Sequence, residues 1–462
     1  MSEPYLLISI PDKSFGFVPG QRISIDIHVI GLDKQTVRVR FSVNDPLGAT
    51  RFSLREVERE IDGGHTVLPF DCDLEPDFQP GAYLVTAQVL SESQHIRAIA
   101  TELFEVVVPD RRLTDGFPVA PRDRIIDANH AFEPTDTETL DAAFRTAHAE
   151  CEACRNADGG WGTVPDAEKP AYRWPANVIL GYLYGYEALG DEQYRKLAVG
   201  GLDYLLAEQE ENGAFRWWYK AVPGGVMNQR DNFYDTGWAG MALAEGFRVT
   251  GEEKYLDAVR RAAGWTMTCP FTGNNNYDAF ALWFLSLLYE FTGDEKYLET
   301  AVWRTRGGVF FAQLPRGGWP GHNFHIGYQS ITVNGLASLY DVLPVDHPFI
   351  DPLRDRLCAA LNFTTFLQTS TGDYCVGWEY DREFHIDSAG NPAGNTGPAR
   401  SELVRAFYKT HNRIDVPENV LNGLCRSTTA RIEALRNRSE RDNSDFTCLM
   451  DVGILLKWRH DK

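Results

Sequence analysis

The chain reads as a multidomain β plus α protein, an N-terminal antiparallel β-sandwich followed by an (α/α)6 toroid, and three observations predict it. Residues 1 to about 108 alternate polar and apolar with period two and contain no tryptophan. From about residue 137 the apolar residues recur at helical spacing, and all eleven tryptophans of the 462 residues fall there. Within that part a turn phrase returns three times, as Leu189-Gly-Asp-Glu-Gln-Tyr194, Thr250-Gly-Glu-Glu-Lys-Tyr255 and Thr292-Gly-Asp-Glu-Lys-Tyr297.

The first part yields strands at 24–30, 36–43, 83–89 and 103–108, separated by turn signals at Val18-Pro-Gly20, Asn44-Asp-Pro-Leu-Gly48 and Gln79-Pro-Gly81. That spacing suits an antiparallel sandwich of about seven strands. Residues 109–136, rich in Pro, Arg and Asp, read as a linker.

In the second part each turn phrase ends one apolar run of helical length and opens another. Gly caps the first helix in the left-handed conformation, and the acidic pair sits on the positive end of the next. The repeat unit is therefore a helical hairpin. Outer helices are expected near 137–154, 192–209, 253–268, 295–310, 348–368 and 418–437, with charged faces (Lys254, Asp257, Arg260, Arg261). Inner helices are expected near 175–188, 235–248, 278–290, 329–342, 399–410 and 445–458, more apolar and rich in small residues, as helices covered on all sides must be. Six of each make a closed ring over 137–462, which carries the active-site cleft; an open solenoid is the rival arrangement.

Composition narrows the partners. A net charge of −20 disfavours nucleic acid and anionic membranes. No stretch reaches the length of a membrane span and the N-terminus lacks the pattern of a signal peptide, so the expectation is a cytoplasmic protein. Eight cysteines are scattered; Cys151 and Cys154 are closely spaced inside a helical pattern and read as structural thiols.

The connections from outer to inner helices are long and dense in Gly, Trp, Asn and His, whereas the opposite turns are short. Examples are Asp158-Gly-Gly-Trp-Gly162, Gly213-Ala-Phe-Arg-Trp-Trp-Tyr219, Arg230-Asp-Asn-Phe-Tyr-Asp235, Gly273-Asn-Asn-Asn-Tyr-Asp278, Gly317-Gly-Trp-Pro-Gly-His-Asn-Phe-His-Ile-Gly-Tyr328 and Asn395-Thr-Gly-Pro-Ala-Arg400. Flat aromatic faces beside Asn, Asp and Arg suit a sugar ring, with apolar C–H patches and a belt of hydroxyls.

The turn phrases, with Asp235 and Asp278 at successive inner-helix starts, resemble the six-hairpin glycosidase superfamily, including unsaturated glucuronyl hydrolases. Gly317-Gly-Trp-Pro320 followed by Tyr328-Gln-Ser-Ile-Thr-Val-Asn-Gly-Leu-Ala-Ser-Leu-Tyr340 resembles toroidal polysaccharide lyases and glucuronyl C5-epimerases. The Trp-x-Arg-Gly signature of the glucuronyl hydrolases does not follow Asp278. Asp158-Gly-Gly-Trp161 and Gln209-Glu-Glu-Asn-Gly213 resemble the Gln/Trp repeats of terpene cyclases, without their protonating Asp-x-Asp-Asp. Phe17-Val-Pro-Gly-Gln21, Val43-Asn-Asp-Pro-Leu-Gly48 and Phe78-Gln-Pro-Gly-Ala-Tyr83 resemble macroglobulin-like and immunoglobulin-like domains. These resemblances imply an enzyme acting on a uronic-acid-containing oligo- or polysaccharide.

Elimination or epimerisation at C5 of a uronate needs a cation to neutralise the carboxylate, a base for the C5 proton and an acid. His325 is the expected base and Tyr328 or Tyr277 the acid. Asn275 and Arg400 would hold the carboxylate, with Arg230 and Arg316 as further cations, and His322 and Tyr234 would contact substrate. Trp161, Trp174, Trp218 and Trp319 would form stacking subsites. A hydrolase using Asp235 and Asp278 is the first alternative, and a non-catalytic scaffold that binds a glycan or a protein is the second. His322 and His325 lie three apart in irregular sequence with no third histidine nearby, so no metal or cofactor is expected.

Overall fold

The computed structural model describes residues 4–11, 13, 16–45, 49–91, 95–106, 124–162, 172–216, 229–319, 325–375, 396–436 and 448–462, except for the side chains of 53–55, 229–231 and 436. The N-terminal region is antiparallel sheet and the C-terminal region helical. By its contacts the chain divides into two units: Met1–Ile126 with Gln313–Pro320 and Pro344–Phe363, and the remainder.

The first unit holds strands β1 (Tyr5–Ser9), β2 (Arg22–Ile30), β3 (Gln35–Asn44), β4 (Thr50–Ile61), β5 (His65–Asp73), β6 (Gly81–Leu90) and β7 (Ile96–Val106). They form two sheets, ordered β1-β2-β5 and β4-β3-β6-β7, with every pairing antiparallel. Strand β3 shows why: Val37, Val39, Phe41 and Val43 face inward while the residues between them face out. Both sheets contribute to one apolar core, in which Phe41 of β3 stacks on Phe70 of β5 with ring centroids 5.2 Å apart. Gly63 and Gly64, at φ +89° and +64°, turn β4 into β5 through conformations that side-chain-bearing residues rarely adopt. Strands β1, β4 and β5 lie beyond the four segments read from sequence. In β4, an edge strand, Arg51, Glu56, Glu58 and Glu60 face solvent, so little apolar alternation marks it.

Polar groups tie the added segments into this unit. Glu102 of β7 pairs with Lys13 at 2.8 Å and with Arg356, and Arg316 pairs with Glu105 at 2.9 Å.

The helical region comprises α1 (Thr137–Glu152), α2 (Arg173–Leu189), α3 (Glu192–Glu208), α4 (Gln229–Thr250), α5 (Glu253–Thr268), α6 (Asn275–Thr292), α7 (Glu295–Arg304), α8 (Ile326–Val342), α9 (Ile350–Phe366), α10 (Ser401–Thr410), α11 (Glu418–Arg436) and α12 (Cys448–Asp461). The short strands β8 (Tyr374–Cys375) and β9 (Thr396–Gly397) pair before α10. Helix α7 is shorter than expected because it passes at Thr305 into a π-helical turn, Thr305–Val309. The repeated phrases act as read. Gly190, Gly251 and Gly293 cap their helices at φ +69°, +69° and +65°, and Asp191 and Asp294 cap the next ones by accepting from Gln193 N (2.9 Å) and Lys296 N (3.2 Å).

The even-numbered helices touch in cyclic order: α2 on α4, α4 on α6, α6 on α8, α8 on α10, α10 on α12, and α12 back on α2. This cycle excludes an open solenoid. Its closing joint needs glycine: a Cβ at Gly181 of α2 would stand 2.8 Å from Met450 N of α12, and one at Gly453 would stand 2.9 Å from Gly181 O. The ring axis is crossed by a buried ion pair. Arg405 of α10 donates to Glu245 of α4 at 2.8 Å, to Tyr184 Oη of α2 at 3.1 Å, and to Asn334 and Ser338 of α8 at 3.0 and 2.7 Å. Burial alone would raise the Glu245 carboxyl; Arg248, Arg405 and Lys409 outweigh it and hold the group well below the usual carboxylate range.

Replacing Arg405 by Leu leaves Glu245, Asn334 and Ser338 without their shared donor. The expected loss is about 3–5 kcal/mol of stability, read from urea unfolding followed by far-ultraviolet circular dichroism. A loss below about 1 kcal/mol would show that the ring does not depend on this pair.

Candidate active site at the inner-helix N-termini

The long connections all lead into even-numbered helices, so the N-terminal turns of the inner ring share one end. Arg173 and Trp174 stand there on α2, Tyr234 on α4, Tyr277 on α6, Tyr328 on α8 behind its cap His325, Glu402 on α10 behind its cap Arg400, and Asp451 on α12. Helix phase selects which of them look along the axis. On α4 the spacing of Tyr234, Trp238, Met241 and Glu245 places all four on one stripe, and Glu245 marks that stripe as axial because it meets Arg405 from the opposite helix. On α10, Glu402 lies one turn before Arg405 on the same face.

These side chains interact. Arg173 donates to Tyr234 Oη at 3.3 Å and lies over the half-buried ring of Trp174 at 4.1 Å. Tyr234 packs on Tyr277 with centroids 5.4 Å apart, and His325 on Tyr328 at 5.6 Å. Burial pushes the Tyr234 hydroxyl up, and Arg173 pulls it back. The Arg400 side chain makes no hydrogen bond or ion pair among the described residues, although it reaches close to Gly327 of α8.

Glu402 is the acid that both Arg173 and Arg400 face. It is buried, and its Oε2 has no hydrogen-bond partner. Desolvation raises its carboxyl; its own backbone N–H, Arg400 and Arg173 oppose the rise, and Asp451 adds to it. Asp451 is itself raised by burial and held by Arg431 at 2.7 Å. A carboxyl that burial makes hold its proton more tightly, beside two guanidinium groups, is suited to act as a proton donor.

The residues expected from sequence divide sharply. Trp174, Tyr234, Tyr277, His325, Tyr328 and Arg400 all stand at this end. Asp278 does not face the axis: its carboxylate accepts from Thr272 Oγ1 at 2.8 Å and pairs at 2.8 Å with Arg304 of outer helix α7, both partners fully buried. Asp235, one residue past the inward Tyr234, is also buried and, after burial, Glu208 and Tyr204, contributes to raising Tyr172. In both repeats the tyrosine turns in and the aspartate turns away, because successive helix positions differ by about 100°. Asn275 is committed to Gly308 O and Val309 O at 2.9 and 3.3 Å, which anchors the π-turn. Arg316 is paired within the first unit. His325 Nδ1 accepts from Gly327 N at 3.0 Å, so in the neutral ring Nε2 carries the proton and the imidazole is a donor rather than a base.

Trp161 and Trp319 cannot stack on a ligand, since both are 0% exposed. They end copies of one recurrent loop in which a residue four before a left-handed glycine ties the connection. Gln209 Nε2 donates to Gly213 O (3.0 Å), Gln313 Nε2 to Gly317 O (3.2 Å) and Gln368 Nε2 to Gly372 O (3.2 Å), and the loops close on the buried aromatics Phe215, Trp319 and Tyr374. Trp161 ends a fourth turn of the same kind, built on Gly159, and packs against Gly201 of α3. The Gln/Trp pattern is therefore structural. His322, Trp218 and the side chain of Arg230 lie outside the described residues. Among the described residues no group of three or more His, Cys, Asp or Glu could hold a metal ion, and all eight cysteines are buried thiols outside any disulfide.

Sequence reading missed Arg173 as a cation and Glu402 and Asp451 altogether. The available signal was charge on helices that pattern marks as buried: Glu402 and Arg405 sit among Leu403, Val404, Ala406 and Phe407.

No family model and no curated protein matches the sequence. Among solved structures the chain is similar to a family 76 glycoside hydrolase from a bovine Bacteroides thetaiotaomicron strain, with 12% identity, 99% of each chain covered and a TM-score of 0.49. It is similar to an inactive variant of an α-1,6-mannanase of Salegentibacter sp. HEL1_6 in complex with α-1,6-mannotetrose, with 14% identity over 70% of this chain and 99% of that one, and a TM-score of 0.45. It is also similar to the unsaturated glucuronyl hydrolase from Streptococcus agalactiae, with 12% identity over 74% of this chain and 98% of that one, and a TM-score of 0.46.

Proposed function

We propose that the protein is a carbohydrate-active enzyme, a β-sandwich over 1–108 joined to an (α/α)6 toroid over 137–462, which cleaves an acidic oligo- or polysaccharide by proton abstraction at C5 of a uronate. The observation that carries this reading is Glu402, a buried acid with an unmatched oxygen flanked by Arg173 and Arg400 at the mouth of the ring.

Arg400, uncommitted among the described residues, binds the uronate carboxylate and so acidifies the C5–H bond. Tyr234, to which Arg173 donates and whose burial-raised hydroxyl Arg173 draws back down, takes the C5 proton. The C5–H electron pair forms the C4=C5 double bond, the C4–O bond breaks, and protonated Glu402 gives its proton to the departing oxygen. Trp174 and Tyr277 offer apolar faces to the ring, and Tyr328 with His325 borders the leaving group. Coupling of Glu402 to a second buried carboxylate, Asp451, favours hydrolysis as a second reading in which Glu402 again protonates the leaving oxygen.

Incubation with glucuronan, alginate, pectate and heparosan oligomers is expected to produce the ultraviolet absorbance of a C4=C5 unsaturated product. New reducing ends without that absorbance would establish hydrolysis instead, and silence in both across the panel would refute the enzyme reading.

On the responsive substrate, Glu402→Gln should lower kcat by about 10²–10⁴-fold with little change in KM, and Arg400→Ala should raise KM by about ten- to a hundredfold. An intact kcat in Glu402→Gln would remove Glu402 from the chemistry.

The Glu402 carboxyl is raised in the folded chain, so the native state binds its proton more tightly than the unfolded state does. Its contribution to stability is thus complete below the unfolded glutamate range and is lost as pH rises through the raised value. Glu402→Gln should therefore flatten the fall of Tm as pH rises above the ordinary glutamate range. A wild-type and variant pair with parallel profiles would contradict the raised carboxyl.

A further inference from the structure

Outside the mouth, the described surface of the helical region carries a built aromatic platform. Phe271 and Trp303, 36% and 45% exposed, stack with centroids 4.0 Å apart and planes at 22°. The stack needs glycine at 307, where a Cβ would stand 2.3 Å from Phe271 Cζ, and Gly307 belongs to the π-turn that interrupts the end of α7. A single carboxylate joins both rings to the mouth. Asp278 follows Tyr277 of the mouth, accepts from Thr272 beside Phe271, and pairs with Arg304 beside Trp303.

We propose that Phe271 and Trp303 form a remote stacking subsite for distal sugar residues of the same glycan whose reacting residue occupies the mouth; the proposal rests on the glycan reading above. A chain of net charge −20 repels a polyanion at distances beyond roughly 10 Å only weakly in salt but gains nothing from it. Added affinity for a long acidic chain therefore has to come from contacts that do not depend on charge, and an aromatic face against sugar C–H groups is such a contact. Two rings bury at most about 300–500 Å², short of the roughly 800 Å² per partner that a stable dimer needs, so a second copy of the chain is the poorer occupant.

The test is binding by calorimetry in the Glu402→Gln background with uronate oligosaccharides of two to twelve residues from the responsive polymer. Trp303→Ala and Phe271→Leu are expected to weaken binding of the long oligomers by about three- to tenfold and to leave the shortest unchanged. Equal affinities of variants and parent for long oligomers, or equal losses for long and short ones, would overturn the subsite. A dimer in the parent that becomes a monomer in Trp303→Ala, by light scattering after gel filtration, would overturn it in favour of a subunit contact. Absence of binding by the parent at every length would instead remove the mouth reading on which the subsite depends.

Discussion

The ion pair between Arg405 and Glu245 is the constraint on which the helical region turns. Six hairpins can stack without closing, and apolar burial alone does not choose between a ring and an open superhelix. A charge from α10 that finds its partner on α4, three positions away in the cycle, is satisfied only if the helices between them bend round a common axis. Tyr184, Asn334 and Ser338 complete the donor set, so α2, α4, α8 and α10 share one polar centre. Such a centre is costly to desolvate and is a poor source of net stability, but leaving any member unpaired costs more. It therefore acts chiefly as a registry device.

The same pair fixes the chemistry above it. Because Arg405 occupies the axis one turn below Glu402, the face of α10 that reaches the axis is set, and Glu402 is carried onto it without a hydrogen-bond partner for Oε2. Burial without full satisfaction is what raises a carboxyl, and nearby guanidinium groups keep the rise from becoming extreme. The satisfied centre and the unmatched carboxyl at the mouth follow from one helical phase.

Most of the architecture was legible in the sequence, because helical period, capping glycines and acidic helix starts are local signals. Helix limits agree within about three residues, except at α4, which begins six residues early at Gln229, and at α7, where the π-turn depends on Asn275 reaching two carbonyls from another helix. The site was legible only to the level of which end of the ring to inspect. Asp235 and Asp278 drew notice as carboxylates at repeated positions, yet helix rotation sends them away from the axis and brings the preceding tyrosines in. Trp161 and Trp319 looked like sugar platforms but are loop plugs, since a Gly-rich turn of this kind must bury its terminal ring to hold its place. Glu402 has no motif, and its one signal in the sequence, charge within an apolar helix, gains meaning only from its neighbours across the ring.

The two equivalent aspartates also show how a repeat acquires asymmetry. Both began from the same Tyr-Asp pair at a helix start. At the second copy Arg304 completes a fully buried ion pair with Asp278, and its guanidinium also donates to Thr266 O and Cys269 O at 2.7 and 2.6 Å. That anchor fixes the end of α7, where the chain departs from α-helical spacing and presents Trp303 and Phe271 outward. A position that pattern marks as catalytic has thus been turned to bracing the stacked, exposed rings of Phe271 and Trp303. On the glycan reading proposed above, this asymmetry gives a bound chain a preferred path away from the mouth, which a ring of identical hairpins would lack.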